Sequence, residues 1–411
     1  MRVLFVSPAA ELGGAERCLL DCVAALHEHG AAQADVLALA DGPLLTKARE
    51  LGAGTEVVQL PRDLALLGES ASGADSGSAM LSLFSAVPTV VRFLARLRAT
   101  INSAMPDIVH TNGMKAHLLA GLVTPTRARL VVHLHDFVSA RRASRWLLPA
   151  LRNIRQPVAF IANSQAVARD FVGLAPDADV RTIYNVVDTE YFSEGAGEPA
   201  WLATLAGLEP PSAETTVFGL VATYARWKGH GLFIEAAGLL RKARPELPLR
   251  FYVVGGPIYE TLGSQVHAPE LRERAVAARI EAHFGLIPFQ NDIARVYRSL
   301  NVVVHASTQP EPFGRTIVEA MACARPVIVA RAGGAAELFD EGANAIGFEP
   351  RNAAALSAAM MRALDPDLRA RLGRAAHDHA AVGFGRSRLA SELLQVYAPG
   401  DVNRARLHRA N

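Results

Sequence analysis

Glu311 and Glu319 stand eight positions apart in Gln309-Pro310-Glu311-Pro312-Phe313-Gly314-Arg315-Thr316-Ile317-Val318-Glu319-Ala320-Met321-Ala322, on either side of a Pro-Phe-Gly turn. Residues of these types at this spacing suit a sugar that carries a diphosphate. Pro310 and Pro312 hold the chain extended, and Gly314 frees the backbone where the amphipathic run Thr316, Ile317, Ala320, Met321 begins, so a helix is expected to start near Gly314. Its first turn would offer unpaired N–H groups and the positive end of the helix dipole, which together favour phosphate. Glu319 would lie about 7.5 Å further along the axis, at about 1.5 Å per residue. Carboxylates accept hydrogen bonds from vicinal hydroxyls, and a nucleotide sugar has hydroxyls on both sides of its diphosphate. The plainer alternative is a solvated helix residue at Glu319 and an ordinary loop carboxylate at Glu311.

The elements that must position these groups are legible as short apolar runs alternating with helical ones. Strands are expected at Arg2 to Ser7, Asp35 to Ala38, Glu56 to Leu60, Asp107 to His110, Leu130 to Leu134, Ala159 to Ala162 and Val180 to Tyr184. A second series follows at Thr216 to Thr223, Leu249 to Val254, Ala282 to Phe284, Val302 to Ala306, Pro326 to Ala330 and Ala345 to Phe348. Continuous apolar runs of this length suit strands buried on both faces of a parallel sheet. Ser193 to Glu214, with Gly195, Gly197, Pro199, Pro210 and Pro211, reads as the connection between two Rossmann-like lobes. The lobes are expected at 1–195 and 214–385, with 386–411 a helix that returns to the first lobe and a tail. Gly68-Glu69-Ser70-Ala71-Ser72-Gly73 reads as a surface loop.

The chain has 411 residues, half of them hydrophobic, and a formal net charge of +2. That small net charge hides an uneven distribution. Arg92 to Arg155 holds eleven basic residues against two acidic, a net +9, whereas residues 1–91 carry a net −6. The basic block predicts an anionic partner. Arg141, Arg142, Arg145 and Trp146, followed by Leu147, Leu148 and Leu151, suit a helix lying on an anionic membrane, with a solvated amphipathic helix as the alternative. Nucleic acid is a poor fit, because no recognised binding module accompanies the charge. Cys18, Cys22 and Cys323 have no paired spacing, and Cys18 with Cys22 reads as core on one helical face. The first apolar run is too short for a signal peptide, and no run reaches a membrane span, so a cytoplasmic protein, peripheral at most, is expected.

The acidic motif resembles the Glu-x7-Glu motif of retaining glycosyltransferases of family 4, which have the two-domain GT-B fold and include bacterial polysaccharide and lipid glycosyltransferases. The resemblance extends along nearly the whole chain, through Gly13-Gly14-Ala15-Glu16-Arg17, His133-Leu134-His135-Asp136, Ile161-Ala162-Asn163-Ser164, Asn185-Val186-Val187-Asp188, Trp227-Lys228-Gly229-His230, Val254-Gly255-Gly256-Pro257 and Ala332-Gly333-Gly334-Ala335-Ala336-Glu337. It implies an α/β protein with two facing Rossmann-like lobes and a cleft between them, since ligands of open parallel sheets bind at the strands' carboxyl ends.

By this resemblance Lys228 neutralises the diphosphate, Glu319 holds the ribose and Glu311 contacts the donor sugar. Phe313 and Gly314 offer main-chain N–H groups to sugar hydroxyls, and the N–H groups through Arg315 and Thr316 face the phosphates. The chain departs from the family's pattern at Ala222-Thr223, where a Gly-Arg pair is usual, and Arg226 is the nearby substitute. Leu286 and Ile287 occupy the place where the base meets main chain. Gly13, Gly14 and His135 belong to the first lobe, with His135 beside the reacting sugar; a buried structural histidine is its alternative, and His133 shares its face. Asn163-Ser164 reads better as a helix cap than as a ligand.

The implied reaction transfers a hexosyl unit with retention, a UDP-hexose being favoured over GDP-mannose, onto a glycan, a lipid-linked acceptor or a small natural product. No cofactor or metal is implied beyond the nucleotide sugar itself. Asp177-Ala178-Asp179 matches the metal-binding Asp-x-Asp string of another fold but precedes a late strand of the first lobe, and Asp365-Pro366-Asp367 reads as a turn between helices. A sugar-nucleotide 2-epimerase of the same architecture and a non-catalytic sugar-nucleotide-binding relative are the rival readings.

Overall fold

A computed structural model describes residues 1–61, 76–141, 144–154, 158–257 and 265–398. The Gly68–Gly73 run and Arg142 lie outside these. The chain divides into two compact α/β units, one formed by Met1–Val186 together with the residues from Arg386 on, the other by Val187–Gly385.

The first unit is built on seven parallel strands: β1 (Arg2–Ser7), β2 (Gln33–Ala38), β3 (Thr55–Val57), β4 (Ile108–Asn112), β5 (Arg129–Leu134), β6 (Val158–Ala162) and β7 (Val180–Thr182), in the order β3-β2-β1-β4-β5-β6-β7. Both faces are covered. Cys18, Leu19, Cys22 and Leu26 of helix Gly14–His29 pack on one side with Phe5, Val36 and Val131. Leu97, Ala116, Ala120, Leu148 and Leu151 from three helices pack on the other with Val6, Val109 and Val132. This two-sided burial is why the strands read as unbroken apolar runs.

Leu389, Leu393, Val396 and Tyr397 of the last helix, Leu389–Tyr397, join the first unit's core beside Cys18 and Cys22. Arg386 fixes the start of this return, with its guanidinium 2.9 Å from Glu28 and 3.8 Å from Asp21.

The second unit holds six parallel strands, β8 (Thr216–Val221), β9 (Leu249–Val254), β10 (Phe284–Ile287), β11 (Val302–His305), β12 (Val327–Ala330) and β13 (Ile346–Phe348), in the order β10-β9-β8-β11-β12-β13. β10 begins where the sequence places its end. Glu281–His283 forms a 3-10 turn instead, and the strand runs on through Leu286 and Ile287.

The stretch read as the connection between the lobes is packed into the second unit. It contains helix Pro199–Ala206, whose Leu202 and Ala203 are fully buried, and the Glu198 N–H donates to Ser299 Oγ at 2.9 Å. Gly197 serves close approach there, because a Cβ would fall 2.1 Å from the Arg298 carbonyl oxygen. Gly197 therefore reflects close packing, and Pro199 the start of a helix.

In each sheet the strand order reverses once, between β1 and β4 in the first unit and between β8 and β11 in the second. The loops leaving those strands are where ligands of open parallel sheets bind.

Candidate functional site

In the second unit the loop after β8 folds as a 3-10 turn, Arg226–Lys228, closed by Gly229 at φ +79°. A Cβ at Gly229 would sit 1.8 Å from the Ala306 carbonyl oxygen, so only glycine lets this turn lie against the end of β11. The Thr308 N–H ties the two loops together by donating to the Trp227 carbonyl at 2.7 Å. Lys228 is thereby aimed at Glu311, with Nζ 2.6 Å from Oε1. The same ammonium lies 3.9 Å from the centre of the Trp227 ring.

Glu311 is buried, and its second oxygen is equally engaged. Ser307 Oγ donates to Oε2 at 2.7 Å, and His305 Nε2 lies 3.2 Å from it. Burial alone would raise this carboxyl, but the Lys228 ammonium and the His305 ring outweigh it and hold Glu311 well below the usual carboxylate range. Its backbone is pinned as well. The Glu311 carbonyl accepts from the Gly334 N–H at 2.7 Å, in a bridge to Gly333, where a Cβ would lie 2.4 Å from that carbonyl oxygen.

Gly314, at φ +105°, caps helix Arg315–Ala322, as the turn residues predict. Glu319 is buried on this helix, accepting from the Tyr297 hydroxyl at 3.0 Å, with Arg315 Nε 3.4 Å away. Neither acidic residue is thus the solvated side chain of the plainer alternative. The Phe313 ring is buried, edge-on to Phe384 at 6.0 Å, so the group this residue can present to a ligand is its main chain. Thr316 lies half-buried in the first turn.

Arg226 does not join this cluster. Its guanidinium makes a bidentate pair with Glu270 at 3.0 and 3.1 Å, and Arg274 shares that carboxylate. At the sheet edge, the Ile287 carbonyl accepts from the Gly255 N–H at 3.0 Å, and Leu286 is half-buried beside it in β10. His230, next to Gly229, is fully buried, and burial foremost, then Lys228, pushes its pKa down to about 4.

In the first unit His135 stands half-buried just past β5, with Nε2 2.5 Å from Asn112 Oδ1. His133 stacks on it at 4.2 Å between ring centres but is completely enclosed, so depth separates two histidines that share a strand face. Beneath them His133 Nδ1 meets His110 Nε2 at 3.2 Å, and His110 Nδ1 meets the Tyr397 hydroxyl at 2.7 Å. Burial pushes His110 down to about 3. Gly13 caps helix Gly14–His29, and a Cβ at Gly14 would meet nothing within 4 Å, so the chain's own packing does not demand glycine there. Ser164 caps helix Gln165–Leu174 by accepting from the Val167 N–H, while Asn163 Nδ2 donates to the His135 carbonyl at 3.3 Å.

Helix Ser144–Ile154 corrects part of the membrane-surface expectation. Leu148 and Leu151 are buried in the core, leaving Trp146 (70% exposed) and Leu147 (51%) outside. Arg141 pairs with Asp136 at 2.7 Å, and Arg145 lies 5.1 Å from the Trp146 ring centre. Among the described residues, no helix is long and apolar enough to cross a membrane.

His305, Ser307, Tyr297 and Asn112 are neighbours of the candidate groups that the sequence did not single out. Two-residue periodicity off the end of β11 places His305 and Ser307 on one face, and that was the available signal.

Both units match known protein families. Residues 12–191 match the family described as Glycosyltransferase Family 4, and residues 209–379 match Glycosyl transferases group 1. The chain belongs to the family 4-like glycosyltransferases and has their GT-B type of fold, two parallel-sheet α/β domains. It is 25% identical to the Anabaena protein Alr3699/HepE crystallised with UDP, covering 96% of this chain and 99% of that one at a TM-score of 0.77. The same protein with UDP-glucose aligns at 26% identity, 96% and 98% coverage and a TM-score of 0.75. A D-inositol 3-phosphate glycosyltransferase of Saccharomonospora viridis is 32% identical over 58% of this chain and 54% of its own length. The chain spans about half the length of the curated relatives it matches.

Proposed function

We propose that this chain is a retaining hexosyltransferase that moves a hexosyl unit from a nucleotide sugar, a UDP-hexose ahead of GDP-mannose, to a glycan or lipid-linked acceptor in cell-surface polysaccharide assembly. The observation that carries the reading is the Lys228–Glu311 pair, backed by His305 and Ser307, at the strand-order reversal of the second unit with Glu319 on the helix that follows. The UDP complexes of the Anabaena protein support uridine over guanosine.

In this reading Glu319 holds the ribose and Glu311 the donor sugar's hydroxyls, with the Phe313 and Gly314 main chain beside them. Lys228 and the first-turn N–H groups through Arg315 and Thr316 offset the negative charge that develops on the departing diphosphate, a preorganised electrostatic role that needs no metal. Because Glu311 is occupied by Lys228, His305 and Ser307, it suits positioning better than nucleophilic attack. The reaction is then a front-face displacement: the acceptor oxygen bonds to the anomeric carbon, the carbon–phosphate oxygen bond breaks, and the departing phosphate oxygen takes the acceptor proton. On the first unit, His135 orients acceptor hydroxyls, and Gly13 and Gly14 of the same unit allow close approach of the main chain. Exposed Trp146 and Leu147 among Arg141 and Arg145 favour a lipid-linked acceptor, with the protein peripheral to the inner face of the membrane.

A second reading of the acceptor, a phosphorylated cyclitol, is favoured by the D-inositol 3-phosphate glycosyltransferases among the relatives. A thermal-shift panel of UDP, GDP and their sugars, followed by turnover with and without acceptor, tests the proposal. Stabilisation by a UDP-sugar and acceptor-dependent UDP release are expected. Isomerised sugar without acceptor would instead mark a 2-epimerase, and binding with no turnover on any acceptor a non-catalytic relative.

A further inference from the structure

Cys18 and Cys22, one turn apart on helix Gly14–His29, face His133 on β5, and the ligand-type atoms of all three lie within 4.8 Å of one another. All three residues are buried. His133 Nδ1 is engaged by His110, but Nε2 has no hydrogen-bond partner among the described residues. A buried ring nitrogen without a partner is costly, and two thiols beside it cannot supply more than a weak hydrogen bond. Coordination would use that nitrogen.

We propose that Cys18, Cys22 and His133 form a zinc site in the core of the first unit. Two sulfurs and one imidazole are a donor set suited to this ion. The hydrogen-bond chain behind His133 has the form that metal-bound histidines use, in which the second ring nitrogen is held by an outer partner. With Nε2 on the ion, Nδ1–H donates to His110 Nε2, and His110 Nδ1–H donates to the Tyr397 oxygen, so every ring nitrogen has one consistent role. Asn185 Oδ1, 3.0 Å from Cys18 Sγ, is the candidate fourth ligand.

Binding replaces the two thiol protons, which leave to solvent, and the cysteines ligate as thiolates. Tetrahedral zinc with bonds of about 2.0–2.3 Å sets its ligands about 3.5–3.8 Å apart, so the three atoms need move together by no more than about 1 Å on loading. The ion would tie helix Gly14–His29 to β5 directly beneath His135. Its place is structural, and it takes no part in the leaving-group chemistry of the second unit.

The test uses full-length, untagged protein kept reduced and stripped with a chelator. Zinc is titrated against a chromophoric chelator, and the cobalt-substituted protein is examined for thiolate-to-cobalt charge-transfer absorption. One equivalent of zinc per chain, the cobalt band, and protection of two thiols from alkylation are expected. Cys18→Ser/Cys22→Ser should lose all three, while Cys323→Ser keeps them. Failure of the parent to take up one equivalent, or equal uptake by the double serine variant, overturns the proposal. Should the double variant not fold, the parent's cobalt spectrum decides, because a spectrum without thiolate character excludes the site on its own.

Discussion

Lys228 and Glu311 are 83 residues apart in the chain, yet their charged groups meet at 2.6 Å, held by loops that leave two adjacent strands of one sheet. The pair is largely withdrawn from water, with side-chain exposures of 20% and 8%. Removing one member strands the other, and for a buried pair that costs about 3–5 kcal/mol. Lys228→Met and Glu311→Gln should each lower Tm, while the double variant should be less destabilised than the sum of the two. Strict additivity in that cycle would show that the pair is not coupled. If Lys228 also offsets leaving-group charge, Lys228→Met should reduce kcat/KM by about 10²–10³-fold, the range for loss of one preorganised electrostatic partner.

Two glycines hold the Lys228–Glu311 pair in place, Gly333 against the Glu311 backbone and Gly229 against the end of β11. Gly333→Ala would drive a Cβ to 2.4 Å from the Glu311 carbonyl oxygen, and Gly229→Ala would drive one to 1.8 Å from that of Ala306. The two positions have φ of +79° (Gly229) and +66° (Gly333), which adds strain for any L side chain. Gly333→Ala should weaken nucleotide-sugar binding about tenfold or more with far-ultraviolet circular dichroism unchanged. Gly229→Ala should lower Tm as well. Gly14→Ala, where space is open, is the matched control and should leave Tm within about 1–2 °C.

Arg226 provides a contrast within the same turn. It is half exposed and paired with Glu270, an arrangement worth about 0–1 kcal/mol. Arg226→Ala should therefore change donor affinity less than about threefold, a small fraction of the Lys228→Met effect. Comparable losses in the two variants would mean that Arg226 leaves Glu270 to grip the phosphates.

Two buried groups set the acid limit of the second unit. His230 is held neutral in the fold, down to about 4 against a usual 6.5, so protons bind the unfolded chain preferentially once pH falls below 6.5. Stability should decline between pH 6.5 and 4, by up to about 3 kcal/mol from this residue, and His230→Gln should flatten that stretch. Glu311 is shifted in the same direction, held low by Lys228 and His305 against the effect of burial. Its contribution is complete above the usual carboxylate pKa of 4.5 and is lost as pH falls below that value toward its depressed one. Denaturant titrations from pH 8 to 3 separate the two, because Glu311→Gln should lower stability throughout but remove only the slope below about pH 4.5.

Trp146 tests the membrane reading. Vesicles rich in anionic lipid should retain the parent protein, and Trp146→Ala with Arg145→Glu should release it at moderate salt. Equal retention of the two by neutral vesicles would exclude an electrostatic surface contact.

Much of this architecture was legible because apolar runs such as Val3 to Val6 and Val327 to Ala330 are buried on both faces and so carry no polar interruption. The Glu311–Glu319 turn was legible for a local reason: proline and glycine fix its backbone wherever it occurs. The Lys228–Glu311 contact was not, since it depends on a strand order that brings β8 beside β11. His133 and His135 share a face by periodicity, and only depth in the sheet tells them apart. The Arg226–Glu270 pair was not legible either, because the partner lies 44 residues away. Leu148 and Leu151 read as a surface stripe until a helix on either side is seen to bury them.

The return of helix Leu389–Tyr397 to the first unit has a consequence for biosynthesis. Domains form as units during synthesis, usually in N-terminal order. Here the order is inverted: every residue of the Val187–Gly385 unit has been polymerised before the first unit receives Leu389, Leu393 and Tyr397. His110 and its neighbours must therefore wait, with one side of their core uncovered, until the whole of the second unit has been made. The earlier half of the chain is the one exposed for longer to chaperones and to mispairing.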